Sequence, residues 1–116
     1  PYQVVKMATG DLGSAATRKY DIEAWMPSQE AYREVTSTSN TTDFQTRRLN
    51  IRYKDDGSPS PEASAHRGKS VHPHALNGTV IATGRALVAI YENYQNEDGS
   101  IGVPAVLQSF MGKKVM

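Results

Sequence analysis

The sequence contains no cysteine. That excludes disulfides, a thiolate nucleophile and a zinc–thiolate cage, and it accords with a cytosolic or organellar-matrix location. Long apolar runs are also missing. The uninterrupted apolar stretches are a few residues long, far short of the roughly 20 a membrane-spanning helix needs. No charged segment followed by an apolar run opens the chain, so no secretory leader is read there. Excess charge of one sign is absent too. A net charge of +1 supplies no overall field for a polyanion, so any nucleic-acid contact has to use a local patch. The 116 residues suffice for one small domain with one core. The chain opens at Pro1 inside a strand-like run, without an initiator methionine, which reads as a piece of a longer polypeptide or a processed product.

Periodicity outlines the elements. Tyr2 to Ala8 is rich in β-favouring residues and reads as a strand. Two glycines mark a loop at Thr9 to Gly13, and Ser14 to Lys19 reads as a short helical turn. Tyr20 to Met26 alternates, with Tyr20, Ile22, Ala24 and Met26 on one face and Asp21, Glu23 and Trp25 on the other. Pro27 ends it. Tyr32 to Thr38 is a second alternating run. Thr42 to Gln45 fits a capping box, opening a helix expected to reach about Tyr53. Asp55 to Ala75 is rich in proline, glycine and serine and reads as an exposed loop.

Leu76 to Ala82 reads as a strand. A helix follows from Thr83 to about Gln95, with Leu87, Ile90, Tyr91 and Tyr94 on one face. Asp98-Gly99 signals a turn, Pro104 suits the first position of a last helix over Ala105 to Met111, and Gly112 is its stop. Strands outnumber helices and the links between the early strands are short for parallel crossovers. The expected class is α+β, an antiparallel sheet backed by helices.

Several residues could carry chemistry. Arg85 falls in the first turn of a helix, where the dipole is positive and free N–H groups point outward. A cation there becomes favourable beside a bound phosphate, which the dipole, the N–H groups and the guanidinium all attract; otherwise it is an exposed arginine. Asn77 and Thr79 share a strand face about Gly78, suited to the polar end of a small ligand or to an ordinary edge strand. Glu34 with Ser37, Ser39 and Asn40 offers oxygen donors suited to Mg²⁺, or an ion-paired glutamate before a turn. Glu34 and Ser37 are three apart, so sharing one site requires a bulge or strand end near Thr36. His66, His72 and His74 lie in the proline-rich loop and read as solvated. Arg47, Arg48, Arg52 and Lys54 form a local basic cluster, ordinarily a solvated face.

Six collinear blocks, TGDLG (Thr9 to Gly13), YDIEAWMP (Tyr20 to Pro27), REVTSTSN (Arg33 to Asn40), DFQTRR (Asp43 to Arg48), LNGTVIATGRALVAIYENYQ (Leu76 to Gln95) and VPAVLQSFM (Val103 to Met111), resemble the seryl-tRNA synthetases. The resemblance implies the C-terminal part of a class II catalytic core, including motif 3. It implies ATP-dependent activation of serine with Mg²⁺, transfer to tRNA(Ser), a homodimer, no membrane, and a cytoplasmic or mitochondrial-matrix enzyme. On it, Arg85 resembles the motif 3 arginine on the ATP γ-phosphate and is the catalytic candidate. Glu34 and Ser37 resemble the pair that contacts ATP and Mg²⁺, and Asn77 and Thr79 resemble residues of the serine pocket.

Ala75, Ala8 and Thr38 depart mildly from the family pattern. The family's N-terminal coiled coil, motif 1, serine loop and motif 2 would lie upstream of Pro1, so the chain alone is expected to be inactive. Two other readings are a non-catalytic synthetase-like binding module and a related ligase that charges a carrier protein.

Overall fold

The structure, a computed structural model, describes residues 1–54 and 68–116. Six strands are present among them: β1 (Tyr2–Lys6), β2 (Arg18–Met26), β3 (Ala31–Thr42), β4 (Tyr53–Lys54), β5 (Ser70–Val71) and β6 (Ala75–Gly78). Three helices accompany them: α1 (Phe44–Arg48), α2 (Thr83–Tyr94) and α3 (Ala105–Met111). The strands form a four-stranded sheet in the order β1-β2-β3-β6 and a two-stranded ribbon, β4-β5. Both pairs of known register, β3–β6 and β4–β5, are antiparallel. This is the α+β class that the short links implied.

Contacts divide the chain into two units. The first comprises Pro1–Val5, Asp21–Ser37 and Thr79–Met116. Here Pro27 ends β2 and opens a 3-10 turn, Pro27–Gln29, whose reversal is completed by Glu30 in the left-handed region (φ 47°). Helix α2 is tied to this turn. The Glu92 carboxylate accepts from the Ser28 N–H at 2.9 Å and its hydroxyl at 2.7 Å, and Asn93 Nδ2 donates to the Trp25 carbonyl at 2.8 Å. Trp25 meets Tyr32 edge-on, with centroids 5.2 Å apart, a geometry that adds to plain area burial.

The expected α2 stripe is present in part. Leu87, Ile90 and Tyr91 line an apolar cleft with Val103, Pro104, Leu107, Met111 and Met116. Helix α3 starts after Pro104 and stops at Gly112, which takes φ +65°, a conformation glycine adopts at no steric cost. The Asp98-Gly99 turn forms as expected, with Gly99 at φ +82°. Beyond α3 the chain returns on itself: the Ile101 and Met116 backbones exchange two hydrogen bonds of 2.9 Å. Met26 and Val103 are the buried apolar side chains among the described residues, and both belong to this unit.

The second unit comprises Lys6–Tyr20 and Thr38–Gly78. Strand β6 pairs with the end of β3, Thr38 opposite Gly78 and Asn40 opposite Leu76, until the register shifts between Asn40 and Thr42. At that bulge Thr41 is buried and its hydroxyl donates to the Ala75 carbonyl at 3.0 Å. Thr42 takes φ +46°, and the Asn40 side-chain oxygen accepts its N–H at 2.9 Å. Thr46 is also buried, with its hydroxyl donating to Pro73 O at 2.7 Å.

Several expectations are corrected. Ser14 to Lys19 makes no helix: a turn at residues 14–15 leads into β2, which starts at Arg18. On β2, burial does not follow one face: Asp21 and Met26, from opposite sides of the alternation, are both buried, while Tyr20 and Ile22 are exposed. The capping box does not form. Thr42 closes β3, its hydroxyl donates to Thr41 O, and Asp43 caps α1 without a side-chain bond. Helix α1 stops at Arg48, five residues before Tyr53, because Asn50 turns left-handed (φ 53°) and Tyr53 enters β4. Strand β6 ends at Gly78, not Ala82. Of the loop expected over 55–75, residues 55–67 lie outside the described residues. Ser70–Val71 is a strand and Ala75 begins β6, because backbone pairing with β4 and β3 overrides composition. His66 lies outside the described residues, and His72 is half-buried with Nδ1 3.0 Å from Ile51 O.

Candidate functional site

Arg85 occupies the third position of α2, whose N-cap, Ala82, supplies no side-chain acceptor. The first N–H groups of the helix therefore remain available to a ligand or to water. The Arg85 side chain is exposed, and its Nη1 donates to the Glu34 backbone carbonyl at 3.0 Å. That bond fixes the guanidinium with one donor and leaves most of its fork open. The acceptor is a neutral carbonyl, so the positive charge is oriented without being neutralised.

The two residues sit on an open groove of about 590 Å³ in the first unit. Arg33 joins Arg85 there, and its Nε is held by Gln29 Oε1 at 2.6 Å. Glu23 and Glu34 are the carboxylates of the lining. Glu23 Oε2 accepts from Gln3 Nε2 at 2.6 Å. Met26, Tyr32 and Val88 give the wall its apolar part. Two forked cations at one mouth suit a polyphosphate. An apolar wall with an aromatic ring beside them suits a flat heterocycle.

The sequence-derived candidates divide. Glu34 and Arg85 are brought together. Ser37 is not among the residues lining the groove. Strand β3 spans Ala31–Thr42, and its pairing with β6 shifts register at Asn40/Thr42. Asn77, in β6, has its Nδ2 3.4 Å from Gln45 Oε1. Thr79 lies just past β6: its N–H donates to Ser37 O at 3.0 Å, and its carbonyl accepts from the Thr36 hydroxyl. Both Asn77 and Thr79 are exposed. Glu23, Gln29, Tyr32 and Arg33 were not candidates from the sequence; Glu23 and Arg33 belong to the blocks Tyr20 to Pro27 and Arg33 to Asn40, and Gln29 and Tyr32 lie between those blocks.

The geometry bears on Mg²⁺ as well. Among the described residues no group of three His, Asp or Glu side chains could hold a metal ion. The groove offers Glu34 as a carboxylate. That fits Mg²⁺, which keeps waters and binds through one or two carboxylates plus substrate phosphates. It does not fit a cage built by the protein.

The family model for the "tRNA synthetase class II core domain (G, H, P, S and T)" matches residues 1–94. The chain belongs to that family. A serine--tRNA ligase from Rubrobacter xylanophilus is 52% identical over 116 residues, covering 100% of this chain and 25% of that protein. One from Thermosipho africanus is 56% identical over 112 residues, 97% of this chain and 24% of that protein. The crystal structure of seryl-tRNA synthetase from Pyrococcus horikoshii complexed with ATP superposes with a TM-score of 0.84 at 52% identity, over 99% of this chain and 24% of that one. The chain thus spans about a quarter of the length of the relatives it matches. Arg85 and Glu34 both line the groove described above.

Proposed function

We propose that this chain is part of a serine--tRNA ligase, contributing the motif 3 half of its catalytic core. The activity is formation of seryl-adenylate from serine and ATP, followed by transfer of the seryl group to tRNA(Ser). The observation that carries this reading is Arg85, held at the start of α2 by the Glu34 carbonyl at 3.0 Å on an open groove. A serine carboxylate oxygen attacks the ATP α-phosphorus, and the bond to the departing pyrophosphate breaks. Arg85 faces the charge that gathers on pyrophosphate, a fixed cation that needs no reorganisation as the charge develops. Arg33 adds a second fork. In this reading the Glu34 carboxylate holds Mg²⁺ that arrives with the nucleotide, and Mg²⁺ supplies neutralisation of the phosphate charge. Ser37 is its proposed partner there, on the resemblance alone. Asn77 and Thr79 are the proposed serine contacts, on the resemblance alone.

The extent of exposed apolar surface supports a chain that works within a larger fold. Tyr2, Val4, Val80 and Phe110 are all more than 60% exposed, apolar area that a covering surface of a longer protein would remove from water. No described helix is long and apolar enough to cross a membrane. A homodimer and a cytoplasmic setting remain part of the proposal through the family resemblance.

The deciding assay is serine-dependent ATP–pyrophosphate exchange with a complete ligase carrying this sequence. Exchange with serine, and none with alanine or without amino acid, is the expected result. Absence of serine-dependent exchange sinks the reading. The 116-residue chain alone is expected to show no exchange, because the family's motif 2 groups, which hold the α-phosphate and adenine, are not among its residues. Exchange from the purified chain would refute the need for them.

A further inference from the structure

Helix α2 carries its charges against its own dipole. Arg85 lies in its first turn and Glu92 in its last. A cation at the positive end of a helix and a carboxylate at the negative end are each unfavourable by themselves. The helix has no acid in its first turn and no base in its last to offset them. Each charge is compensated outside α2.

Both partners lie where β2 turns over into β3. Residues 85 and 92 are seven apart, which brings their side chains to one face of the helix, about 10 Å apart along its axis. At one end of that face, Arg85 Nη1 donates to the Glu34 carbonyl at 3.0 Å. At the other, the two Glu92 carboxylate oxygens accept separately: Oε2 from the Ser28 N–H at 2.9 Å and Oε1 from the Ser28 hydroxyl at 2.7 Å. Asn93 adds its bond to the Trp25 carbonyl. Ser28 belongs to the 3-10 turn and Glu34 to β3. Helix α2 is thus fastened near both of its ends to the single stretch Trp25–Glu34.

The two fastenings differ in strength. Near the start of α2, one exposed hydrogen bond to a neutral carbonyl holds a flexible side chain. Near its end, two charge-assisted bonds, the stronger kind, join a half-buried carboxylate to one residue. Val88 lies between them on the same face, but it is 43% exposed, so apolar packing there does little to fix the helix. The apolar stripe of α2 meets Val103, Pro104 and α3 instead. The place of the Arg85 guanidinium on the groove is therefore set from the far end of its own helix.

We propose that Glu92, through Ser28, is a positioning residue for Arg85. It holds the axis of α2 against the β2–β3 turn, so that the guanidinium meets the groove at a fixed place. Glu92 is not among the residues lining the groove and acts through Arg85. This rests on the synthetase reading, in which Arg85 faces the charge that gathers on pyrophosphate. A misplacement of about 1 Å can cost roughly a hundredfold in rate.

The test uses the complete ligase. Serine-dependent ATP–pyrophosphate exchange and thermal melting are measured for Glu92→Ala, for Arg85→Ala and for the two combined. Glu92→Ala is expected to lower exchange about tenfold or more. In the Arg85→Ala background the same change is expected to lower it by less than about twofold, because an absent guanidinium cannot be misplaced. Loss of folded enzyme would instead lower exchange by the same factor in both backgrounds, and that additive result overturns the proposal. Near-normal exchange by Glu92→Ala overturns it too. If Glu92→Ala does not fold, Ser28→Ala and Ser28→Thr decide, since Ser28 is exposed and both variants keep its N–H donor. Ser28→Ala loses the hydroxyl bond and is expected to lower exchange about threefold or more, whereas Ser28→Thr keeps the hydroxyl and is expected to recover most of that loss. Equal rates for the two Ser28 variants overturn the proposal. Absence of exchange by the unaltered ligase overturns the synthetase reading itself, and the positioning role with it.

Discussion

Replacing Arg85 with alanine in the complete ligase separates its two candidate roles by size. On the folding side, the side chain is exposed and makes one hydrogen bond, to the Glu34 carbonyl at 3.0 Å. Such a bond contributes about 0.5–1.5 kcal/mol net, toward the lower end when exposed. Against it stands a cation in the first turn of α2, unfavourable by about 0.3–1 kcal/mol. The two nearly cancel, so the melting temperature should move by less than about 4 °C in a protein of that size. On the catalytic side, losing one oriented charge from the departing pyrophosphate typically costs about 2.7–4 kcal/mol, or a hundredfold or more in rate. Arg85→Lys restores the charge without the fork and should recover only part of the loss. Pyrophosphate exchange and thermal melting are measured on the same preparations. Near-normal exchange in Arg85→Ala refutes the phosphate role. A large fall in melting temperature that tracks the loss of exchange would make Arg85 a structural residue instead.

Two further expectations concern the scaffold. Thr46→Val leaves the Pro73 carbonyl without the buried hydroxyl that donates to it at 2.7 Å, and should cost about 1–3 kcal/mol in chemical denaturation, whereas Thr46→Ser should cost much less; equal losses would show that the hydroxyl is irrelevant. The Ser100 hydroxyl and N–H donate to Asp98 Oδ1 at 2.6 and 2.9 Å and hold the Asp98 carboxyl below its ordinary value. A carboxyl whose folded value is lowered stabilises the fold above its unfolded pKa of about 3.9, and that contribution disappears as pH falls through the folded value. Ser100→Ala should therefore return Asp98 toward the ordinary range in an NMR pH titration, and an unmoved titration would contradict this cause.

The parts legible in the sequence were those written locally. Helix α2 could be read from Thr83 to about Gln95 because its apolar spacing and its start signal coincide, and α3 because Pro104 and Gly112 bracket it. Arg85 was legible as a phosphate candidate from its position at a helix start. Its Glu34 carbonyl partner was not, because that contact is set by how α2 returns onto β3, far away in sequence. The buried side of β2 was not legible because alternation gives the period and not the side: Asp21 and Met26, from opposite faces of the alternation, are both buried while Tyr20 is exposed. The helix after Asp43 was read too long because Ile51 keeps the helical spacing of Phe44, Arg47 and Arg48, and Asn50, a residue type that readily turns left-handed, was passed over as the stop. Strand β5 was invisible for a related reason. Two residues, Ser70 and Val71, carry no pattern, and only their pairing with Tyr53 and Lys54 makes them a strand.

The mutual bonds between Ile101 and Met116 have a consequence for how α3 melts. A helix ordinarily frays from its ends, one residue at a time. Here the tail beyond α3 is fastened at Ile101, and Val103 N–H adds a bond to Lys114 O at 2.8 Å. Helix α3 therefore sits inside a closed loop. Unwinding it with the clasp intact gains only the entropy of a tethered coil, and the full freedom of the tail is released only when the clasp opens as well, a loop-closure term that grows slowly with length. The amides of Ile101, Val103 and Met116 should then exchange with solvent together, as one cooperative opening.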